Sequence, residues 1–171
     1  MGLFSKKKTY QTMTIEEFKL LSSNDLFDII QNQMMTEEER CDFDPNVCLR
    51  EFSGAKRIFY IVNYFDMEVQ NGGLCQFFVN SSRIVAPFIL ESLHSIEAYD
   101  YEALLSSFIN KHHISLNQLD SFITDDIDEY EQQTERYPFD DFDDAYYELY
   151  ESNPLQHLLT KYIKKHIEEF I

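Results

Sequence analysis

The chain has 171 residues, with 31 acidic side chains against 14 basic ones and a formal charge of −17 at pH 7. Hydrophobic residues make up 44% and aromatic residues 15% of the chain, which excludes a disordered acidic tail, because such tails are poor in aromatic side chains. The negative charge disfavours binding to nucleic acid and to anionic membrane surfaces, and it favours a basic partner or simple solubility.

The length fits one domain, and we expect it to cover residues 13–171 after a flexible arm over residues 1–12. The arm lacks the apolar stretch that a secretory signal needs. No stretch approaches the 18 or so apolar residues of a membrane span. The three cysteines are odd in number and have no C-x-x-C spacing, which is typical of reduced thiols in a cytoplasmic protein: Cys41, Cys48 and Cys75.

Helical periodicity runs through the first half of the domain. Apolar residues over 55–69 fall three or four apart, which predicts a helix, although residues 58–65 are rich in strand-forming types. The string Asn71-Gly72-Gly73 predicts the end of this helix, because a glycine past the last turn adopts the left-handed conformation without a Cβ clash.

The second half predicts further helices. Ser115 with Gln118 forms a capping-box pattern, and apolar residues then recur at helical spacing as far as residue 130. One long helix is expected there, with Ile123 and Ile127 facing inward. Two more helical segments follow, so the predicted fold class is all-α: a compact, single-domain multi-helix bundle.

The acidic residues are concentrated in residues 115–151, which hold 13 acidic side chains and one basic one. On one continuous helix, the seven acids from Asp120 to Glu135 would form a row about 22 Å long. Its density, about one charge per 3 Å, is close to the spacing of phosphates along a DNA strand. We predict a partner-binding face that imitates phosphates, with a merely solvated acidic face as the alternative. The predicted face comprises Asp120, Asp125, Asp128, Glu129, Glu131, Glu135, Asp140, Asp141, Asp143 and Asp144.

Candidate sites for chemistry are few. Asp42-Phe43-Asp44 copies the start of a calcium loop, but Val47 stands where the sharp turn needs glycine. The five histidines show no zinc-ligand spacing. Cys75 follows the glycine pair, but nothing in the sequence places a base beside it. We therefore predict no metal site, no cofactor and no catalytic residue.

A glycine-centred string, Glu-Val-x-Asn-Gly-Gly-x-x-Gln-Phe-Phe-x-Asn, begins at Glu68. With its surroundings, over about residues 50–105, it resembles the all-helical C-terminal domain of the bacterial DNA-mimic protein family. The resemblance implies an all-α fold and, for the member that named the family, an acidic protein that resembles duplex DNA and occupies a transcription factor. The string is not itself acidic, so we assign a structural role to Asn71, Gly72, Gly73, Gln76 and Asn80. Leu74 and Cys75 depart from the aromatic and polar residues that are more usual there.

Two classes of function remain open. The first is an acidic binding protein, a DNA mimic that occupies the DNA-binding surface of a basic protein such as a transcription factor, or an immunity-type inhibitor of a basic nuclease. The second is an enzyme with a pocket at the Asn-Gly-Gly turn, which is disfavoured because that region offers amides and no histidine. The expected partner is a basic DNA-binding protein, without direct binding to nucleic acid or membrane, and a homodimer is left open.

Overall fold

The computed structural model describes residues 13–171, so the predicted arm over residues 1–12 lies outside the described residues. Within the described range the chain forms α-helices and short 3-10 helices and no strand, which confirms the all-α prediction. The α-helices are α1 (Ile15–Lys19), α2 (Ser23–Glu39), α3 (Pro45–Glu51), α4 (Gly54–Val79), α5 (Ile89–Ser95), α6 (Tyr99–His112), α7 (Ile127–Arg136), α8 (Phe139–Ser152) and α9 (Leu155–Lys165). The 3-10 helices are Ser81–Phe88, Asp120–Phe122 and Ile167–Glu169. Between residues 13 and 171 no single helix has the length and hydropathy to cross a membrane, although α4 and the segment 81–95, bent by 88°, meet that test as a pair.

Helix α4 forms the centre of the hydrophobic core. It packs against the 3-10 helix over residues 81–88 and against α5, α8 and α9. Phe65 meets Phe77 edge-to-face at 5.1 Å between ring centroids, and it meets Tyr146 of α8 at 5.9 Å. Such pairs contribute about 0.5–1.5 kcal/mol each beyond the area they bury. Burial on several sides explains why the strand-forming residues over 58–65 lie in a helix, as the period predicted.

The long helix predicted to start at Ser115 and run to residue 130 is wrong. A 3-10 turn forms over residues 120–122, and α7 begins only after Asp126, its N-cap. The Asp126 carboxylate accepts a hydrogen bond from the Glu129 N–H at 2.9 Å, and the Glu129 carboxylate accepts one from the Asp125 N–H at 2.8 Å. This reciprocal cap starts a new helix because short acidic side chains compete for the backbone groups that a continuing helix would use.

The break also changes the row of charges predicted for this region. Asp120 lies on the 3-10 turn and Asp125 on the linker before α7. A single rigid axis with about one charge per 3 Å does not exist, so that part of the prediction is wrong. Ile123 and Ile127, predicted to face inward, are 48% and 76% exposed.

Candidate functional site

The chain bends inside α4 at the glycine pair. Gly72 has φ −159° and ψ 25°, and Gly73 has φ +78° and ψ 179°. The latter region is open essentially to glycine alone, because a Cβ atom would clash there. The predicted positive φ is confirmed at Gly73, and the glycines end the first helical segment of α4 at a kink, after which a second helical segment begins. Asn71 is exposed at the bend.

Glu68 ties the two segments together across the kink. One oxygen of its carboxylate accepts hydrogen bonds from the side-chain amides of Gln76, at 2.7 Å, and Asn80, at 2.8 Å. Gln76 and Asn80, to which the sequence analysis assigns a structural role, thus both contact Glu68 across the kink. Glu68 itself was not assigned a role, although it opens the motif. A Cβ atom on Gly72 would meet the Gln76 side chain, so the clamp also fills the space beside that glycine.

Asp143 holds the other side of the kink. Its carboxylate accepts a hydrogen bond from the Leu74 N–H at 2.8 Å, one of the donors that the first turn of a helical segment leaves unpaired. A Cβ atom on Gly73 would collide with the same carboxylate. Burial raises the pKa of Asp143 to about 6; the Leu74 hydrogen bond opposes this shift, and the charges of Asp140 and Asp144 add to it.

The predicted partner-binding face is therefore wrong at Asp143. It was placed there with nine other acids, but its side chain is half-buried and contacts the backbone of the glycine motif. The physical reason is its position on α8, on the side of that helix that packs against α4.

Two tyrosines of α8 pack beside this contact. The Tyr146 hydroxyl donates a hydrogen bond to Asp66, and the Tyr147 hydroxyl donates one to the Val69 carbonyl at 3.2 Å. Burial raises the pKa of Asp66, and the hydrogen bonds from Tyr146 and Gln70 oppose that shift. One side of α8 is thus fixed to the kinked helix, which leaves its remaining acids turned toward solvent.

Residues 115–151 hold thirteen acids, and the twelve other than Asp143 are all exposed. They include the nine remaining residues of the predicted face, distributed over the 3-10 turn, the linker, α7 and α8. Across residues 13–171, no ion pair with Lys, Arg or His involves any of them. We call this set the acidic surface: Asp120, Asp125, Asp126, Asp128, Glu129, Glu131, Glu135, Asp140, Asp141, Asp144, Glu148 and Glu151.

Arg136, the basic side chain of this segment, does not neutralise the acidic surface. Its guanidinium donates a hydrogen bond to the Ser121 carbonyl at 3.2 Å and lies 5.4 Å from the centre of the Phe122 ring. The Gln133 amide donates to the same carbonyl at 2.9 Å. These contacts anchor α7 on the 3-10 turn, so Arg136 is engaged with the backbone of the turn and leaves the carboxylates of the acidic surface outside every described ion pair.

A groove open to solvent lies at the kink, where the enzyme hypothesis places its pocket. Its lining is mostly amides, with one carboxylate that is already hydrogen-bonded: Tyr64, Met67, Glu68, Gln70, Asn71, Gln76 and Asn80. Cys75 is buried outside it, and that burial raises the pKa of the thiol to about 12, which disfavours a nucleophilic thiolate near neutral pH. In the described part of the chain, no group of three or more His, Cys, Asp or Glu side chains is arranged to hold a metal ion.

Residues 50–166 match the family model of DMP19-like protein. This finding corrects the family named from the glycine motif: the match is to the DMP19-like family and not to a general bacterial DNA-mimic family, and it extends well beyond residues 50–105. DMP19-like proteins are themselves described as DNA mimics and as non-enzymatic. No curated protein and no solved structure gives a significant match.

Proposed function

The chain belongs to the DMP19-like family, and on this premise we propose that its acidic surface occupies the DNA-binding surface of a basic protein, such as a transcription factor. The observation that carries the proposal is the set of twelve exposed carboxylates outside every described ion pair. Unpaired carboxylates attract a basic surface over about 8 Å at physiological ionic strength, and complementary charge speeds association and suppresses wrong partners.

The arrangement of the charges suits such a partner better than a single row would. Duplex DNA carries phosphates along two strands, so a protein that holds DNA presents basic groups over a width and not along one line. The acidic surface spans two helices and the turn before them, and contacts of Arg136 and of Tyr146 hold these elements in place. When the supporting side-chain contacts are already formed in the free protein, binding does not cost the conformational entropy of ordering them.

The proposal includes no catalytic role for this chain. It is supported by the groove at the kink, where the carboxylate of Glu68 is occupied by two amides and the Cys75 thiol is buried. A basic nuclease would meet the same acidic surface, so an immunity-type role differs only in the identity of the partner.

A pair of charge-reversal variants tests the proposal. Each variant replaces three exposed acids by lysine and so raises the net charge by six. None of the six carboxylates makes a hydrogen bond in a helix cap, so the fold should tolerate both changes. The test variant is Asp125→Lys with Glu131→Lys and Glu135→Lys; the control outside the acidic surface is Asp28→Lys with Glu39→Lys and Glu51→Lys.

The partner is isolated by affinity capture from native cytosol, purified, and mixed with each variant in stopped-flow experiments at low and high salt. We expect the test variant to associate about tenfold more slowly or worse, and the control variant to change little. Duplex DNA should compete with the wild-type protein for the partner. Equal losses from both variants, or a partner that binds the protein and DNA at the same time, would overturn the proposal.

A further inference from the structure

Two aliphatic side chains interrupt the acidic surface. Ile127 begins α7 and is 76% exposed, and Ile123, which ends the 3-10 turn, is 48% exposed. Asp125 and Asp126 lie between them in the chain. Ile123 also lines a groove between the turn and α7, together with Glu129, Gln132, Gln133 and Arg136.

Solubility does not require this arrangement. Single exposed aliphatic side chains are common on protein surfaces, and Leu20 is one outside the acidic surface; Ile123 and Ile127 differ in lying only four positions apart among carboxylates. Interfaces, in contrast, combine an apolar centre with a charged rim, and a few apolar anchors supply much of their affinity. The long-range attraction of the carboxylates brings a partner near, and burial of Ile123 and Ile127 would then slow its dissociation.

We infer that the element received by the acidic surface is a basic amphipathic helix, whose aliphatic side chains pack against Ile123 and Ile127 while its Lys and Arg side chains face the surrounding carboxylates. The inference rests on the proposed function and adds the chemistry of the partner's contacting element. It fits a helix that enters the major groove of DNA, because such a helix meets phosphates on either side and apolar thymine methyl groups between them.

The charge disfavours other occupants of the surface that exposes Ile123 and Ile127. A second copy of the chain would bring a second acidic surface into contact, which like-charge repulsion disfavours. Nucleic acid and anionic lipid are repelled for the same reason. A basic protein element is therefore the occupant that both the carboxylates and the isoleucines favour.

Two synthetic peptides test the inference on the full-length protein. One is a basic helical peptide with three leucines along one face. The other has the same charge, with alanine in place of each leucine, so that helix propensity is kept. The protein variant is Ile123→Ser with Ile127→Ser, and its control is Leu20→Ser, since Leu20 is 85% exposed outside the acidic surface. Circular dichroism and melting temperature establish that each variant is folded, and dissociation constants come from fluorescence anisotropy.

We expect the leucine peptide to bind the wild-type protein about tenfold more tightly than the alanine peptide. The double isoleucine variant should lose this preference and the Leu20 variant should keep it. Equal binding of both peptides to the wild type, or a preference that survives in the isoleucine variant, would overturn the inference and leave the proposed function standing. If neither peptide binds at low salt, the inference fails, while the proposed function is decided by the charge-reversal variants and the captured partner.

Discussion

Replacement of Gly73 by alanine tests the kink at the centre of the fold. Gly73 has φ +78° and ψ 179°, and a residue with a Cβ atom in so rare a region costs about 1–3 kcal/mol. The new Cβ atom would also collide with the Asp143 carboxylate and separate it from the Leu74 N–H. A lost hydrogen bond to a charged group costs a further 1.5–3 kcal/mol or so. We therefore expect Gly73→Ala to lower the free energy of unfolding by about 2.5–6 kcal/mol.

Urea unfolding followed by circular dichroism at 222 nm or so measures this loss. Gly72→Ala is the matched control, because Gly72 has φ −159° and its new Cβ atom would meet the end of the flexible Gln76 side chain. Gly72→Ala should lower the free energy of unfolding by a clearly smaller amount than Gly73→Ala does. A Gly73→Ala protein within about 0.5 kcal/mol of the wild type would show that the kink and its contact with Asp143 do not exist as described.

Three further predictions concern the contacts around the kink and the core. Asp143→Asn tests the pKa of Asp143, which is raised from 3.8 to about 6. Because the folded state binds this proton more tightly than the unfolded state, the stability of the wild-type protein should fall as the pH rises through this window. Urea titrations of the variant should lack that part of the fall. Parallel profiles of stability against pH for the wild type and the variant would contradict this prediction. Glu68→Ala should lower the free energy of unfolding by about 1–2 kcal/mol, because two amides lose their acceptor, and Glu68→Gln should lose less; equal losses would show that the retained oxygen does not matter. Ellman's reagent should react slowly with the folded protein and rapidly in urea, because all three thiols are buried and burial raises the pKa values of two of them, Cys48 and Cys75, to about 12. Rapid reaction of the folded protein would show an accessible thiol.

The helices were predictable where one pattern dominated. The period over residues 55–69 identified most of the first segment of α4, and Asn71-Gly72-Gly73 marked its end. The segment after Ser115 failed because two patterns compete there. Its apolar spacing extends to residue 130, but Asp126 and Glu129 form their own capping pair, a signal in the sequence that the apolar period alone does not reveal.

The candidate site was predictable in composition and not in geometry. A count of carboxylates treats all of them alike, so it could not separate Asp143 from its exposed neighbours Asp141 and Asp144. The contact that separates them joins Asp143 to Leu74, 69 positions away in the chain. Glu68 was missed for a related reason, since its two amide partners come within reach only after the chain has bent at the glycines.

The glycine motif and the acidic surface are therefore parts of one arrangement. Asp143 belongs to the acidic segment by sequence and to the kink by contact, and Tyr146 and Tyr147 add two further contacts between α8 and α4. The family match, over residues 50–166, includes both parts. A surface that acts through the placement of charges needs a rigid support, because a carboxylate that moves by a few ångströms loses its basic counterpart. The glycine motif supplies this support: its kink and its contacts with Asp143 and the two tyrosines hold α8 against α4, and the position of α8 sets the direction of its exposed carboxylates.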